Sequence, residues 1–263
     1  MIEPYYETKL GKLYHGDCLD IMQDIPDKSI DMILCDLPYG VTQHAKDIVI
    51  DFIPLWENYE RIIKDNGAIV LFGQGLFFID LVNSNRKLFR YDLIWDKQLV
   101  SGFLNANRCP LRCHENIAVF YKKMPVYNPQ YHEGEPSHSR GTAYLKKTVK
   151  NENYGGFNPT EDKPDDGTRK YPRSILSFQK THPSKALHRT EKSIDLLEYL
   201  VKTYSNESDT ILDNTCGSGT TLLSCEKTNR KWIGIELDKK YCEVSKKRIS
   251  KLRKEMLTFG ELS

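Results

Sequence analysis

Apolar and polar positions change period along the chain, and each change marks an element. Lys12–His15 reads as a short strand stopped by Gly16-Asp17, and Leu19–Gln23 as a short helix. Asp31–Cys35 is an apolar run of strand length that ends at Asp36-Leu37-Pro38-Tyr39-Gly40. Asp51–Lys64 carries Phe52, Leu55, Trp56, Tyr59, Ile62 and Ile63 at helical spacing, and Asn66-Gly67 is read as its stop. Ala68–Phe72 is the next strand, Leu76–Asn83 a helix, and Tyr91–Trp95 and Asn116–Tyr121 two further strands. Strands alternating with helices predict a largely parallel sheet covered on both faces.

Residues 122–181 lose this rhythm. They are polar and rich in Pro, Gly and Tyr, which predicts an insertion or small irregular subdomain; structureless stretches of that length are uncommon unless functional or disordered. Regularity returns with a helix over Thr190–Tyr204 and a strand over Thr210–Leu212. A helix over Leu222–Lys227, a strand over Trp232–Ile235 and a basic amphipathic helix over Lys239–Lys254 follow. The division expected is 1–121, 122–181 and 182–263.

Composition sharpens this division. The 263 residues suffice for a large core, and no apolar run is long enough to span a membrane. The first residues lack a signal-peptide pattern, and seven scattered cysteines suit free thiols in a reducing compartment, so a cytoplasmic protein is expected. A net charge of +2 gives no support to a strongly basic nucleic-acid binder. Its distribution does: residues 1–121 carry 12 basic and 17 acidic side chains, residues 122–192 carry 14 and 8. With Tyr127, Tyr131, Tyr144, Tyr154 and Tyr171 in the insertion, that excess fits contacts to phosphates and bases. A solvated loop is the alternative.

Thr210–Glu236 reads strand, glycine turn, helix, strand, acid. Gly217 and Gly219 allow a tight turn and close approach to a ligand, and Glu236, 23 residues after Asp213, is placed to accept from ribose hydroxyls. Leu222 stands where a dinucleotide site has its third glycine, and Asp213 would repel a pyrophosphate but attract an ammonium. S-adenosylmethionine fits better than NAD; a tight turn without ligand is the alternative for this segment alone.

Asp36-Leu37-Pro38-Tyr39 follows a strand and reads either as a plain turn or as a catalytic loop. A nucleobase amine is a poor nucleophile because its lone pair is delocalised into the ring. The Asp36 carboxylate and the Leu37 carbonyl, accepting its two N–H bonds, would localise that lone pair. Pro38 biases Leu37 to an extended conformation, and Tyr39 can stack on an extruded base.

Asp36-Leu37-Pro38-Tyr39-Gly40 resembles the Asp-Pro-Pro-Tyr motif of amino-group DNA methyltransferases, and Asp213–Thr221 resembles their S-adenosylmethionine motif. The catalytic motif comes first and the cofactor motif last, an order similar to the permuted β group. Gly16-Asp17, Trp95-Asp96-Lys97, His114-Glu115-Asn116 and His188–Lys192 match further family segments in order. The resemblance implies a Rossmann-like α/β fold with permuted motifs and an inserted target-recognition region, of the kind found in restriction–modification systems. Departures are Leu37 for Pro, Thr215 for the usual Phe, and Thr190-Glu191-Lys192-Ser193 for Thr-Gln-Lys-Pro.

Carried over by position, Asp213, Thr215, Gly217, Ser218, Gly219 and Thr220 should hold the methionine end of S-adenosylmethionine, with Asp36 beside it, and Glu236 its ribose. Asp17 and Cys18 should lie near its adenine, and Lys192 and His188 near its carboxylate. An initial Asp resembles adenine-N6 enzymes, whereas Ser is commoner in cytosine-N4 enzymes. The resulting expectation is a site-specific adenine-N6 methyltransferase that flips its base out of double-stranded DNA and works as a homodimer. Cytosine-N4 methylation and a non-catalytic DNA-binding module on the same fold are the alternatives. Asn105, Asn107 and Arg108, in a segment suited to close over the base, are candidate DNA contacts. Cys109, Cys113 and His114 lack a second matching pair, so no metal site is expected.

Overall fold

The computed structural model describes residues 2–40, 48–135, 149–151, 155–157, 168–180 and 192–258; His188, Tyr144 and Tyr154 lie outside them. In chain order the elements begin with β1 (Tyr6–Glu7), β2 (Gly11–His15), α1 (Cys18–Gln23), β3 (Ile30–Cys35), α2 (Phe52–Ile62) and β4 (Ile63–Gly73). Next come α3 (Gly75–Ser84), β5 (Phe89–Ser101), a 3-10 turn at Phe103–Asn105 and β6 (Arg112–Phe120). Short strands β7 (His132–Glu133), β8 (Val149–Asn151), β9 (Gly155–Phe157) and β10 (Arg169–Lys170) precede β11 (Ile175–Ser177). The chain ends with α4 (Ile194–Tyr204), β12 (Thr210–Asp213), α5 (Thr220–Lys227), β13 (Lys231–Glu236) and α6 (Lys239–Thr258).

Met1–Asn128 and Ser174–Ser263 form one compact unit, Pro129–Arg173 a second. The first holds a nine-stranded sheet in the order β1-β2-β13-β12-β3-β4-β6-β5-β11. β2, β13, β12, β3 and β4 run parallel, as do β5 and β11, while β6 runs antiparallel to both β4 and β5. Successive residues of β3 enter opposite faces. Met32 and Leu34 join the core packed by Leu200, Val201 and Trp232; Ile33 and Cys35 join the one packed by Leu55, Tyr59 and Ile62. Burial on both faces explains why β3 reads as a continuous apolar run.

Helix starts follow the caps. Asp17 Oδ1 accepts from the Leu19 amide at 2.8 Å and Asp51 Oδ1 from the Ile53 amide at 2.9 Å, which starts α1 and α2. At Ile63 the backbone turns extended, with ψ 138°. Here the expectation fails: β4 begins at Ile63, before Asn66-Gly67, rather than at Ala68. Ile63 pairs with Ile30 and Ala68 with Met32, so the breaker residues are absorbed as an irregularity within the strand. β11 lies inside the stretch read as lacking periodicity. Three residues are too few to show a period; pairing of Ile175 with Ile94 and burial of Leu176 define it.

β12 lies beside β3, and the chain leaves them in opposite directions, through α5 to β13 and through α2 to β4. This is the point in an open sheet where a crevice forms beyond the carboxyl ends of the strands. The N-terminal segment is tied to α6, with Tyr5 donating to Glu243 Oε2 at 2.9 Å and the Tyr6 and Ser250 hydroxyls 3.0 Å apart. In the second unit β7 pairs with β10 and β8 with β9. The Tyr131 and Tyr171 rings meet at 5.0 Å, with the Arg169 guanidinium 3.5 Å from the Tyr131 centroid. Tyr127 belongs to the first unit and packs on Tyr204. Among the described residues, no helix is long and apolar enough to cross a membrane.

Candidate active site

The candidate site is built by the residues that follow β3 and β12. Asp36 is the first residue after β3. Its Oδ1 accepts from the Tyr39 hydroxyl at 2.8 Å, and its Oδ2 lies 2.8 Å from Lys192 Nζ. Leu37 is buried in the core, which anchors the loop, and the Tyr39 ring stacks on Phe77 at 4.7 Å. Pro38 stands between them, half-buried.

Lys192 sits just before α4, and its side chain is 8% exposed. Besides Asp36 it contacts Glu115 Oε2 at 2.9 Å; the other oxygen, Oε1, takes Lys97 Nζ at 3.3 Å. Burial favours the neutral amine, but Asp36 and Glu115 outweigh it and hold the Lys192 ammonium charged above the ordinary lysine range. Burial pushes Glu115 up, yet Lys192, and after it Lys97, outweigh that and hold the carboxylate below its usual value. Phe72, Trp95 and Tyr39 surround the Lys192 ammonium at 5.0, 5.9 and 5.7 Å. The resemblance set Lys192 near a cofactor carboxylate; in the structure its ammonium joins two carboxylates of the protein itself.

β12 ends in Asp213, which is 3% exposed. Its carboxyl is pushed up to about 7, chiefly by burial. The Thr221 hydroxyl, the Thr215 amide and the Cys35 thiol oppose the rise, and the Asp36 charge adds to it. Thr215, where the family usually has Phe, donates from Oγ1 to the Asp36 carbonyl at 3.1 Å and so joins the two loops. Beside it, Asn214 Oδ1 accepts from the Tyr59 hydroxyl at 2.6 Å and the Cys35 thiol at 2.7 Å. Cys18, at the start of α1, is buried near the same amide.

The turn itself needs glycine twice. Gly217 has φ 51° and Gly219 φ 77°, and a Cβ on Gly219 would come 2.7 Å from Ser245 Oγ. The Gly217 amide donates to Glu236 Oε2 at 2.8 Å, and the Asp238 amide to Oε1 at 2.7 Å, which fixes the acid at the end of β13. Arg248 of α6 donates from Nη1 to the Ser218 carbonyl (2.8 Å), Ser218 Oγ (3.0 Å) and Thr220 Oγ1 (3.0 Å). Asp17, exposed, caps α1 next to β13, because β2 and β13 are paired through His15 and Glu236.

Motif reading thus finds Asp36, Tyr39, Asp213, Thr215, Gly217 and Glu236 at or just beyond the ends of the adjacent strands β3, β12 and β13, with Lys192 beside Asp36. It misses Glu115, Lys97 and Arg248, whose roles depend on pairing between distant strands and helices. The only signal for Glu115 and Lys97 is their place in matched segments of unassigned role. Asn105, Asn107 and Arg108 are exposed on the turn that links β5 to β6.

The cofactor expected from the sequence fits this chemistry. Asp213 supplies a buried acid for an ammonium, Glu236 an oriented carboxylate for hydroxyls, and Gly217 leaves open space where a Cβ would stand, with nothing within 4 Å.

The sequence profile of the DNA methylase family (N6_N4_Mtase) matches residues 30–247. The chain belongs to the DNA methylase family. Among its relatives, the Type II methyltransferase M.BamHI of Bacillus amyloliquefaciens is 28% identical over 284 residues, 99% of this chain and 62% of that protein. The chain therefore spans less than two-thirds of M.BamHI. The DNA adenine methyltransferase YhdJ of Escherichia coli (strain K12) is 24% identical over 254 residues, covering 90% of this chain and 82% of YhdJ. Among solved structures, the cytosine-N4-specific PvuII DNA methyltransferase aligns with a TM-score of 0.67 at 16% identity, over 98% of this chain and 96% of that one. The M1.HpyAVI–SAM complex aligns with a TM-score of 0.59 at 22% identity, over 91% and 98%. These structural likenesses show that the chain shares its fold with these enzymes.

Proposed function

We propose that this DNA methylase is a site-specific DNA methyltransferase that moves a methyl group from S-adenosylmethionine to the exocyclic N6 of adenine. The carrying observation is Asp36, a carboxylate held by Lys192 and Tyr39 at the crevice where β3 and β12 end. The adenine name of YhdJ and the SAM in the M1.HpyAVI complex support the target and the cofactor.

Asp213 would take the ammonium of the methionine end, the turn Thr215–Thr220 would wrap it, and Glu236 would take the ribose hydroxyls. Asp17 and Cys18 would border the adenine, with Lys192 and His188 on the carboxylate side. Bound there, S-adenosylmethionine supplies an electrophilic methyl group. The protein does the rest. Asp36 and the Leu37 carbonyl accept the two N–H bonds of the target amine, localise its lone pair and stabilise the positive charge that develops as the nitrogen is methylated. Pro38 limits the freedom of that loop, and Tyr39, backed by Phe77, offers a ring for the extruded base. Asn105, Asn107 and Arg108 at the loop tip, together with Arg169 and Lys170 of the second unit, serve as duplex contacts in this reading. The enzyme works as a homodimer, which light scattering in solution tests.

The test is transfer of labelled methyl to amplified, unmethylated genomic DNA, followed by mass spectrometry of the nucleosides. 6-Methyladenine is expected. 4-Methylcytosine would overturn the target and favour the second reading, which the PvuII likeness keeps in view. Asp36→Ala should lower the rate at least about a thousandfold, the scale of losing a donor or acceptor aimed at developing charge, while S-adenosylhomocysteine still binds. Unchanged transfer would sink the catalytic role of Asp36.

A further inference from the structure

Asp36 stands at the end of a buried row of alternating charge: Asp36, Lys192, Glu115, Lys97. The links measure 2.8, 2.9 and 3.3 Å. The three side chains beyond Asp36 are 5–9% exposed. Four separate segments contribute, the residue after β3, the second half of β5, the start of β6 and the residue pair before α4. β6 makes this possible. Because it runs antiparallel to its neighbours, its first residues lie at the edge where β3 and β4 end, with Glu115 opposite Trp95 and Asn116 opposite Gly73.

One ammonium therefore serves two carboxylates. The more of its charge Glu115 engages, the less it withdraws from Asp36, and Lys97 moderates Glu115 in turn. A carboxylate under a stronger positive field is a weaker acceptor for the N–H of an amine. Resting on the function proposed above, we propose that Glu115 and Lys97 are positioning residues that set how strongly Asp36 accepts the target amine, acting through Lys192. The charged and titratable groups that face this cluster, among the described residues, are the Tyr39 hydroxyl, Lys180 after β11 and Asp213 of β12. Lys180 is half-buried and interacts with Glu115, Lys192, Lys97 and Asp36, so it stays in place in every variant tested.

The proposal predicts opposite signs. Glu115→Gln leaves Lys192 wholly to Asp36. The single-turnover rate of methyl transfer to amplified DNA should fall about tenfold or more, the scale of losing an outer partner that orients a reacting group. The acid limb of its pH profile should move to lower pH by about one unit, as expected for a changed neighbouring charge. Lys97→Met should move that limb to higher pH, and Lys97→Arg should leave it in place. S-adenosylhomocysteine affinity and KM should stay within about threefold, under half a decade of free energy. A role confined to folding would lower Tm without moving the limb. Limbs that stay put, or that move the same way in both variants, overturn the proposal. If Glu115→Gln fails to fold, the direction in Lys97→Met decides alone. Should the unaltered chain transfer no methyl, the proposed function falls. The inference is then read from the 13C signal of the Asp36 carboxylate at neutral pH, assigned by Asp36→Asn, which must move in opposite directions in Glu115→Gln and Lys97→Met or the proposal fails.

Discussion

The two acids at the ends of the neighbouring strands β3 and β12 are treated in opposite ways. Asp36, after β3, is joined to a lysine that is itself held by a second carboxylate. Asp213, at the end of β12, is buried among a hydroxyl, an amide and a thiol, with the like charge of Asp36 nearby, and its carboxyl rises to about 7. One side of the crevice carries its own countercharge; the other stores a carboxyl whose ionisation a cationic ligand would favour. In the proposed function the self-neutralised side takes the neutral target amine and the other side takes the positive end of the cofactor.

The strongest way to break this contrast is to remove the countercharge. Lys192→Met leaves Asp36 and Glu115 as neighbouring buried anions, and a chemical denaturation curve near neutral pH should show a loss of roughly 3–5 kcal/mol. Partial exposure of Asp36 to solvent puts the expectation at the lower end of that range. On the β12 side the expectation reverses. Asp213→Asn should weaken S-adenosylhomocysteine binding about a hundredfold at pH 8, measured by calorimetry, because a charge-assisted bond of roughly 1.5–3 kcal/mol is lost. The same variant should be no less stable than the unaltered chain at that pH, since no carboxylate has to be ionised in the interior.

A gentler test uses pH alone. The folded pKa of Asp213 lies above its unfolded value, so between pH 4 and 7 the folded chain holds a proton that the unfolded chain does not. The stability this group contributes is full at low pH and declines as pH rises through about 7. Ligand binding that needs the anion behaves the other way: S-adenosylhomocysteine affinity should rise about tenfold per pH unit below 7 and then level off, with proton release on binding. Titrations in two buffers of different ionisation enthalpy would detect that proton, and a flat affinity from pH 5 to 8 would remove Asp213 from the ammonium site. The smallest effect concerns the link between the sides. Thr215→Val deletes the hydroxyl that reaches the Asp36 carbonyl and should cost about 1 kcal/mol of stability, with a few-fold lower transfer rate.

Much of this was legible in the chain itself, for a physical reason. Runs such as Asp31–Cys35 announce a strand because both of its faces are buried, and the acids at strand ends stand next to glycine or proline turns that interrupt the pattern. Glu115 offers no such local mark: it meets Lys192, 77 positions away, through strand pairing that periodicity does not encode. Arg248 reads as one more cation on a solvated helix until α6 packs against the glycine turn. β11 owes its existence to its partner β5. Asn66-Gly67 misleads in the other direction, since a turn signal was absorbed inside β4.

The ties from Tyr5 and Tyr6 to α6 bring the two described ends of the chain against each other, beside β2 and β13. Which of the neighbouring strands β3 and β12 is synthesised first is then a matter of where the polypeptide is opened, not of how the crevice is built. A chain spliced from α6 to β1 by a short linker, and cut within residues 129–173, would read cofactor strand before catalytic strand. Asp36, Lys192 and Asp213 would keep their neighbours, so gene order and site geometry can be engineered independently.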